Sequence, residues 1–458
     1  MGEVRSLSVE EIRRLGARLK KGGAERIGRA PRDGGPLPLS FAQERLWFLD
    51  RFAPGDPVYN IPAFVRLTGR LDTPALRRTL TEVTRRHESL RTTFGERDGV
   101  PFQVIAPTSK VPLPLADLSA LPVPLREGEM LRLATREARR SFDLARGPLF
   151  RATLLRLADH DHGLLLNLHH VVTDGWSQGV LVREMAVLYE ALAAGRLSPL
   201  PEPPIQYADY AVWQRNRLRG ELLEKEVAFW RQRLAGTPPL EMPADRKPSQ
   251  EPSFRGDRLD LSVPAEVAGR LQALCRKEKV TSYMALLAAF QILLLRYSGQ
   301  TDFAVGSPVA NRRRSELEGL VGYFVNTLAL RVDLSGQPSF RELLARVREV
   351  AVAAFSHEEM PFERIVGELH PQRDAGRNPI YQVMLASQSQ PAPELAMGGV
   401  GLSRIEVHAG TAKLDLSLTW QEQAGALFGT LEYSSDLFDT ASAERIGRHA
   451  VALLRAAL

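Results

Sequence analysis

Hydrophobic and polar positions switch between two periods along this chain, and each switch marks an element. Behind Asp72 and Thr73, Pro74 opens a stretch in which Leu76, Leu80 and Val83 fall on one face at helical spacing. Proline suits that place because the first helical turn has no use for its missing N–H. Alternation with a period of two predicts strands over 62–68 and 101–106. It also predicts a hairpin, 151–157 and 163–170, around the polar turn Ala158-Asp159-His160-Asp161-His162. The second hairpin strand ends at two adjacent histidines. Ser177 then stands where it can cap a long helix bearing Val180, Met185, Leu188 and Leu192 and stopping at Gly195. Downstream, helices at 265–277, 282–297, 339–356 and 441–457 alternate with strands near 302–307, 380–387, 412–420 and 427–433.

This alternation predicts an α/β or α+β fold. The chain shows no repeat of fixed period, which argues against solenoids and propellers. At 458 residues it exceeds what one hydrophobic core supports, so two lobes of roughly 200 residues each are expected. Near the N-terminus, Ser8-Val9-Glu10-Glu11 reads as a capping box for a short helix with Ile12, Leu15 and Leu19 on one stripe, stopped at Gly22-Gly23. Residues 28–38 (GRAPRDGGPLP) have the composition of a linker, so 1–38 read as an arm leading from a preceding domain. The first lobe is expected over 39–205 and the second over 206–458. Proline-rich stretches at 199–204 and 237–252 both qualify as the crossing between them. A body that follows a linker and closes with a helix at 441–457 reads as one domain of a larger protein.

Composition narrows the function. Hydrophobic residues make up 44% and charged residues 25%, enough apolar side chain for two cores. The formal net charge is +6, but the first 35 residues hold nine Lys/Arg against five Asp/Glu, so most of the surplus sits in the arm. The body has no basic stripe interleaved with aromatics, which argues against nucleic acid and leaves acidic protein domains as the better partners. A single cysteine, Cys275, rules out an intramolecular disulfide and a cysteine-cluster metal site. It shares a helical face with Val267, Leu271 and Leu274 and reads as a small buried hydrophobe, not as an acyl-transfer nucleophile. The longest apolar stretch, Met284 to Leu295, is too short to span a bilayer, and no signal peptide opens the chain; the expected location is the cytoplasm, with no membrane partner.

The sharpest chemical feature is Leu168-His169-His170-Val171-Val172-Thr173-Asp174-Gly175-Trp176-Ser177. Side chains alternate along a strand, so if Leu164, Leu166 and Leu168 face one side, His170 joins them and His169 points away. Only one ring can then face a substrate. Divergent rings and the lack of a third ligand at metal spacing argue against zinc. An imidazole titrating near 6.5 can accept or share the proton of an amine. Gly175 admits a close approach of backbone, and the helix N-terminus behind it offers N–H groups to an oxyanion.

HHxxxDG is also the signature by which the chain resembles the condensation-domain superfamily, whose fold is similar to chloramphenicol acetyltransferase. Six further stretches match the nonribosomal peptide synthetase members in their usual order. They are LSFAQERLWFLD (39–50), RHESLRTTF (86–94), YADYAVW (207–213), VGYFVNTLALR (321–331), HEEMPFE (357–363) and RDAGRNPI (373–380). The resemblance implies two acetyltransferase-like lobes in a V-shaped pseudo-dimer, with the active site in a tunnel between them. It implies an acyltransferase in which the amine of an acceptor aminoacyl-carrier attacks the thioester of a donor acyl- or peptidyl-carrier, forming an amide. The domain itself binds no cofactor; phosphopantetheine arms arrive on carrier partners, and an adenylation domain neighbours it in the full synthetase.

By the same resemblance His170 and Gly175 are the catalytic residues, His169 a packing residue and Asp174 structural. Arg312, in VGSPVANRRR, is the expected brace of Asp174, with Arg313 and Arg314 as alternatives. Trp176, Ser177 and Asn326 are candidates for the substrate tunnel. Arg45, Arg86, His87, Glu88 and Arg91 fit either a site-forming or a helix-holding role, the structural one favoured; His357 and Arg377 are read as framework. A base and a positioning group are both open roles for His170. LHHVVTDGWS and APGDPVYNIP (53–62) look most like the subtype joining an L-donor to an L-acceptor. The alternatives are a starter-type domain with a fatty acyl donor, a stand-alone acyltransferase of the same fold, and a non-catalytic recruitment module; heterocyclisation and epimerisation fit the motifs less well.

Overall fold

The computed structural model describes residues 26–33, 35–108, 110–247, 253–369, 377–388, 396–423 and 425–457. The helix expected at the start of the arm lies outside them, as does part of the RDAGRNPI stretch. Among the described residues two six-stranded sheets and a small three-stranded one carry helices packed on them, the mixed α/β architecture that the alternation predicts.

In the first large sheet the hairpin Phe150–Ala158 and Asp161–His169 lies beside Asn60–Thr68, which runs antiparallel to Asp161–His169. Leu164, Leu166 and Leu168 pack on one face with Leu76, Leu80 and Val83 of helix Thr73–Arg86 and with Val180, Met185 and Leu188 of helix Gly175–Ala193. Leu165 faces the other side, against Phe64 and Met130, the latter on helix Val123–Ala138. That helix is missing from the sequence reading because charged residues interrupt its apolar stripe.

The second large sheet runs Asn326–Arg331, Ala304–Val309, Val383–Gln388, Leu416–Gln423, Ala426–Ser434 and Gly256–Val263. Its core takes in helices Ala265–Glu278, Ser282–Ser298, Phe340–Ser356 and Thr440–Ala457, and the buried Cys275 belongs to it. Val383–Gln388 and Leu416–Gln423 are parallel neighbours, which need a long crossover between them. Here the crossover travels through the other sheet. It supplies Ala396–Met397 and then Val400–Ile405, which pairs with Asn60–Thr68 from Gly401 opposite Thr68 to Ile405 opposite Phe64.

Three expectations change. The strand expected from 412 begins only at Leu416: the Ala412 N–H donates to the Phe254 carbonyl, outside the ladder, while the Asp415 N–H and carbonyl bond Gln382 and Ser434 at the ladder's edge. The long helix begins at Gly175, not after Ser177: Asp174 is the cap, and its carboxylate accepts the Ser177 N–H. The second half of the arm is no free linker. Ile27 and Ala30 are buried, the Ala30 N–H donates to Asp209, Arg32 pairs with Glu88 and Asp209, and Leu37–Pro38 add a strand beside Val100–Ile105.

Candidate active site

The strand carrying the histidine pair stops at His169, which lies opposite Asn60, the first residue of its neighbour. The chain turns at once into a 3-10 turn, His170–Val172, so the strand alternation that would place His170 beside Leu168 does not reach it. The two rings are held in opposite senses. His169 is buried, with its ring 6.0 Å from that of Phe142 and 6.3 Å from that of Tyr59, and its Nδ1 accepts the Val171 N–H at 3.2 Å. Its proton therefore resides on Nε2. The Nδ1 of His170 lies 2.8 Å from the Thr173 carbonyl oxygen, which can only accept, so the proton resides there and Nε2 is left as a lone-pair acceptor. Burial first, and the Lys413 ammonium second, push both imidazoles down to about 3.

Beyond the turn, Asp174 is fully buried and every bond to it crosses to a fixed group. Its Oδ1 accepts the Ser177 N–H at 2.7 Å and Arg312 Nη2 at 3.2 Å; its Oδ2 accepts the Phe324 N–H at 3.0 Å. Arg312 also donates to the Leu317 and Leu320 carbonyls and lies over the Phe324 ring, 4.0 Å from its centroid. The loop before strand Asn326–Arg331 is thereby latched to the helix start of the first half. Gly322 in that loop has no room for a side chain, since a Cβ would lie 1.9 Å from the Tyr207 ring. Beside Gly175 a Cβ would meet nothing within 4 Å. The protein's own packing does not demand glycine there.

Arg45, Tyr59, His170, Tyr323, Glu363 and Lys413 share a combination of exposure and burial. Each keeps solvent-accessible surface, yet desolvation is the first cause acting on the ionisation of every one of them. Both observations hold together when the accessible surface faces a channel and not the outer surface. The Tyr323 ring stands 4.6 Å from that of His170, and Arg45 pairs with Glu363 at 3.3 Å. Arg45 joins this group through its pairing with Glu363 and lies over the Phe362 ring. Tyr59, Tyr323, Glu363 and Lys413 escaped the sequence reading. Tyr59 and Tyr323 lie inside APGDPVYNIP and VGYFVNTLALR, and Lys413 is a lone cation in an otherwise apolar alternation, which is the signal that could have found it.

Two tunnel candidates lie elsewhere. Ser177 is fully buried, with its Oγ bonded to the Gly322 N–H and carbonyl and to Arg312 Nη2. Asn326 is buried and spends its amide on the Glu358 and Met360 carbonyls and the Phe362 N–H. Trp176, though 40% exposed, donates its Nε1–H to the Glu318 carbonyl and belongs to the latch. Arg313 pairs with Glu358 and Arg314 with Glu316. Arg86 and His87 both bind Glu184, Glu88 holds Arg32, and Arg91 donates to the Ala106 carbonyl. His357 binds Glu226 and stacks on Phe229, and Arg377 joins Glu241 to Asp415.

Residues 35–458 match the condensation domain family, and the chain belongs to it. A linear gramicidin synthase of Brevibacillus parabrevis is 47% identical over 429 residues, 93% of this chain and 6% of that protein. Phosphinothricin tripeptide synthetase PhsC of Streptomyces viridochromogenes is 41% identical, over 96% of this chain and 41% of that protein. The chain therefore spans well under half the length of these relatives. Among solved structures, the X-domain from teicoplanin biosynthesis in its complex with OxyB superposes with a TM-score of 0.85 at 30% identity, covering 95% of this chain and 96% of that one.

Two measurements test the electrostatics of the site. Removing Arg312 leaves the buried Asp174 carboxylate unpaired, so Arg312→Met is expected to cost about 3–5 kcal/mol in urea denaturation. Adding Asp174→Asn, which keeps a capping side chain, recovers part of that loss; a double variant less stable than the single one would sink the pairing argument. His169 is held neutral in the folded state down to about 3, whereas the unfolded chain takes up a proton below about 6.5. Its contribution is full above that pH and is lost as pH falls toward 3, at about 1.4 kcal/mol per pH unit. Denaturation at pH 7, 6 and 5 should show this slope diminished by about that amount in His169→Gln.

Proposed function

We propose that the chain forms amide bonds as a condensation domain of a nonribosomal peptide synthetase, joining an L-configured donor to an L-configured acceptor. Two acidic carrier domains present phosphopantetheine thioesters to the channel, and an adenylation domain adjoins it in the full cytoplasmic synthetase. The acceptor's amine nitrogen attacks the donor thioester carbonyl. The C–N bond forms, the C–S bond breaks, and the proton lost by nitrogen ends on the departing sulfur. The observation that carries this reading is the tautomer of His170: Nδ1 is committed to the Thr173 carbonyl and Nε2 is left as an acceptor on a residue open to the channel. The L-to-L subtype rests on the LHHVVTDGWS and APGDPVYNIP stretches.

The held-down imidazole favours one of its two roles. A free α-amine has a pKa of about 7.7–8.0, so an imidazole at about 3 is a poor stoichiometric base for it. It is, however, a good neutral acceptor for an N–H of the unprotonated amine, holding the nitrogen lone pair toward the carbonyl. Gly175 at the open helix start leaves room for the thioester there.

Donor- and acceptor-loaded carriers, followed by intact mass spectrometry in single turnover, test this directly. Transfer by wild type is expected, with a loss of about 10²-fold or more in His170→Ala. The wild-type rate should rise with pH as the acceptor amine deprotonates and show no separate limb near 6.5. A limb there would restore His170 as a titrating base. Transfer unchanged in His170→Ala would remove it from the chemistry, and no transfer by wild type would favour a recruitment role.

A further inference from the structure

The partners of the Lys413 ammonium are an aromatic ring and a more distant carboxylate, Glu432. Among the described residues no carboxylate lies within 4.0 Å of the Lys413 Nζ and no hydrogen bond engages it; its nearest recorded contact is the Tyr59 ring, 5.0 Å to the centroid. Burial lowers the pKa of this ammonium and the Glu432 carboxylate raises it, so its charge is only partly compensated while its side chain keeps accessible surface.

Its position is fixed by what flanks it. Ala412 and Leu414 are buried, the Ala412 N–H is tied to Phe254, and Asp415 is tied through its N–H to Gln382 and through its carboxylate to Arg377. The side chain between them is left on the channel. Lys413 stands on the leg by which the crossover returns to the second sheet, and this leg touches the first half where Arg139 donates to the Ala409 carbonyl. The charged and titratable groups facing it are His169 and His170 from the hairpin end, Tyr59 from the turn before Asn60–Thr68, Arg45 from helix Phe41–Phe52, and Glu432 from strand Ala426–Ser434. Glu432 lies 3.9 Å from His408. The field of Lys413 reaches both histidines.

We propose that Lys413 is a further residue of the transfer reaction, its ammonium stabilising the negative charge that develops on the donor thioester oxygen as the acceptor amine attacks. The proposal rests on the condensation reading above. When the nitrogen lone pair forms the C–N bond, the carbonyl π pair moves onto oxygen. On collapse that pair re-forms C=O, the C–S pair leaves with sulfur, and sulfur takes the proton lost by nitrogen. The oxygen is anionic only between these two steps. A preorganised cation in a poorly screened channel acts on that interval more than on the neutral thioester. The same charge discourages protonation of His170, keeping its Nε2 an acceptor.

Burial lowers the Lys413 ammonium to about 8, so its charge is present below that pH and lost above it. The single-turnover rate of wild type should therefore rise as the amine deprotonates and then fall through about pH 8. Lys413→Arg, which keeps its charge at every working pH, is expected to retain transfer within about tenfold and to lose the alkaline fall. Lys413→Met is expected to lose about 10²-fold, mostly in the rate at saturating carrier and little in the half-saturating carrier concentration. The inference is overturned by a Lys413→Met protein of normal melting temperature that transfers at the wild-type rate, or by a Lys413→Arg profile that falls at the same pH as wild type. If Lys413→Met does not fold, the Lys413→Arg profile alone decides. A wild type that transfers nothing overturns the condensation reading itself; transfer that depends on His170 and not on Lys413 overturns this inference alone.

Discussion

A buried carboxylate facing a buried guanidinium is the constraint on which the site depends. Asp174 and Arg312 come from opposite halves of the chain, and neither charge is tolerable in the interior without the other. Their pairing does three things at once. It starts the helix that follows the histidine turn, it seats the loop 317–324 against that helix, and through Phe324 and Tyr323 it brings an aromatic wall to His170. Ser177 and Gly322 tighten the same joint. The latch engages Ser177, Trp176 and Arg312 Nη1 and Nη2 in bonds across the two halves, so residues near the motif that resemble substrate contacts are committed to structure.

Much of the fold was legible along the chain. Strand alternation placed both hairpin strands within two residues of where they lie, and the apolar stripes placed the long helices of the second half. The histidine pair and its aspartate were legible too, since HHxxxDG is local. What the pattern could not show is where a period stops. The strand ends one residue early, between the two histidines, because its partner begins at Asn60, and that single residue decides the tautomer and orientation of His170. Lys413 was hidden for a related reason: it sits in a run that alternates like a strand, yet the Ala412 N–H bonds Phe254 and regular pairing begins only at Leu416. Asn326 drew attention by its polar character in an apolar stretch, but only the observed bonds to Glu358, Met360 and Phe362 show that its amide is fully used.

Two chemically identical side chains at adjacent positions thus acquire different work from their neighbours. His169 accepts from an N–H and is enclosed by aromatic rings; His170 donates to a carbonyl and opens on the channel. Desolvation keeps both neutral, so the distinction lies in which nitrogen is occupied and not in charge. Tyr323 of the second half brings its ring to His170, and burial raises its phenol as it lowers the imidazole.

The crossover has an implication for how such domains can be exchanged. The outer neighbour of Asn60–Thr68 is a strand from far along the chain, with Thr68 bonded to Gly401 across a separation of 333 residues. The first sheet therefore cannot be completed by the first half of the sequence, either during synthesis or in a hybrid gene. A splice near residue 206 that looks clean by composition would leave one edge of that sheet to be filled by a foreign segment, which would also carry its own residue at position 413 into the channel. The unit of inheritance in this architecture is the whole chain, because the two halves are interlocked and not merely adjacent.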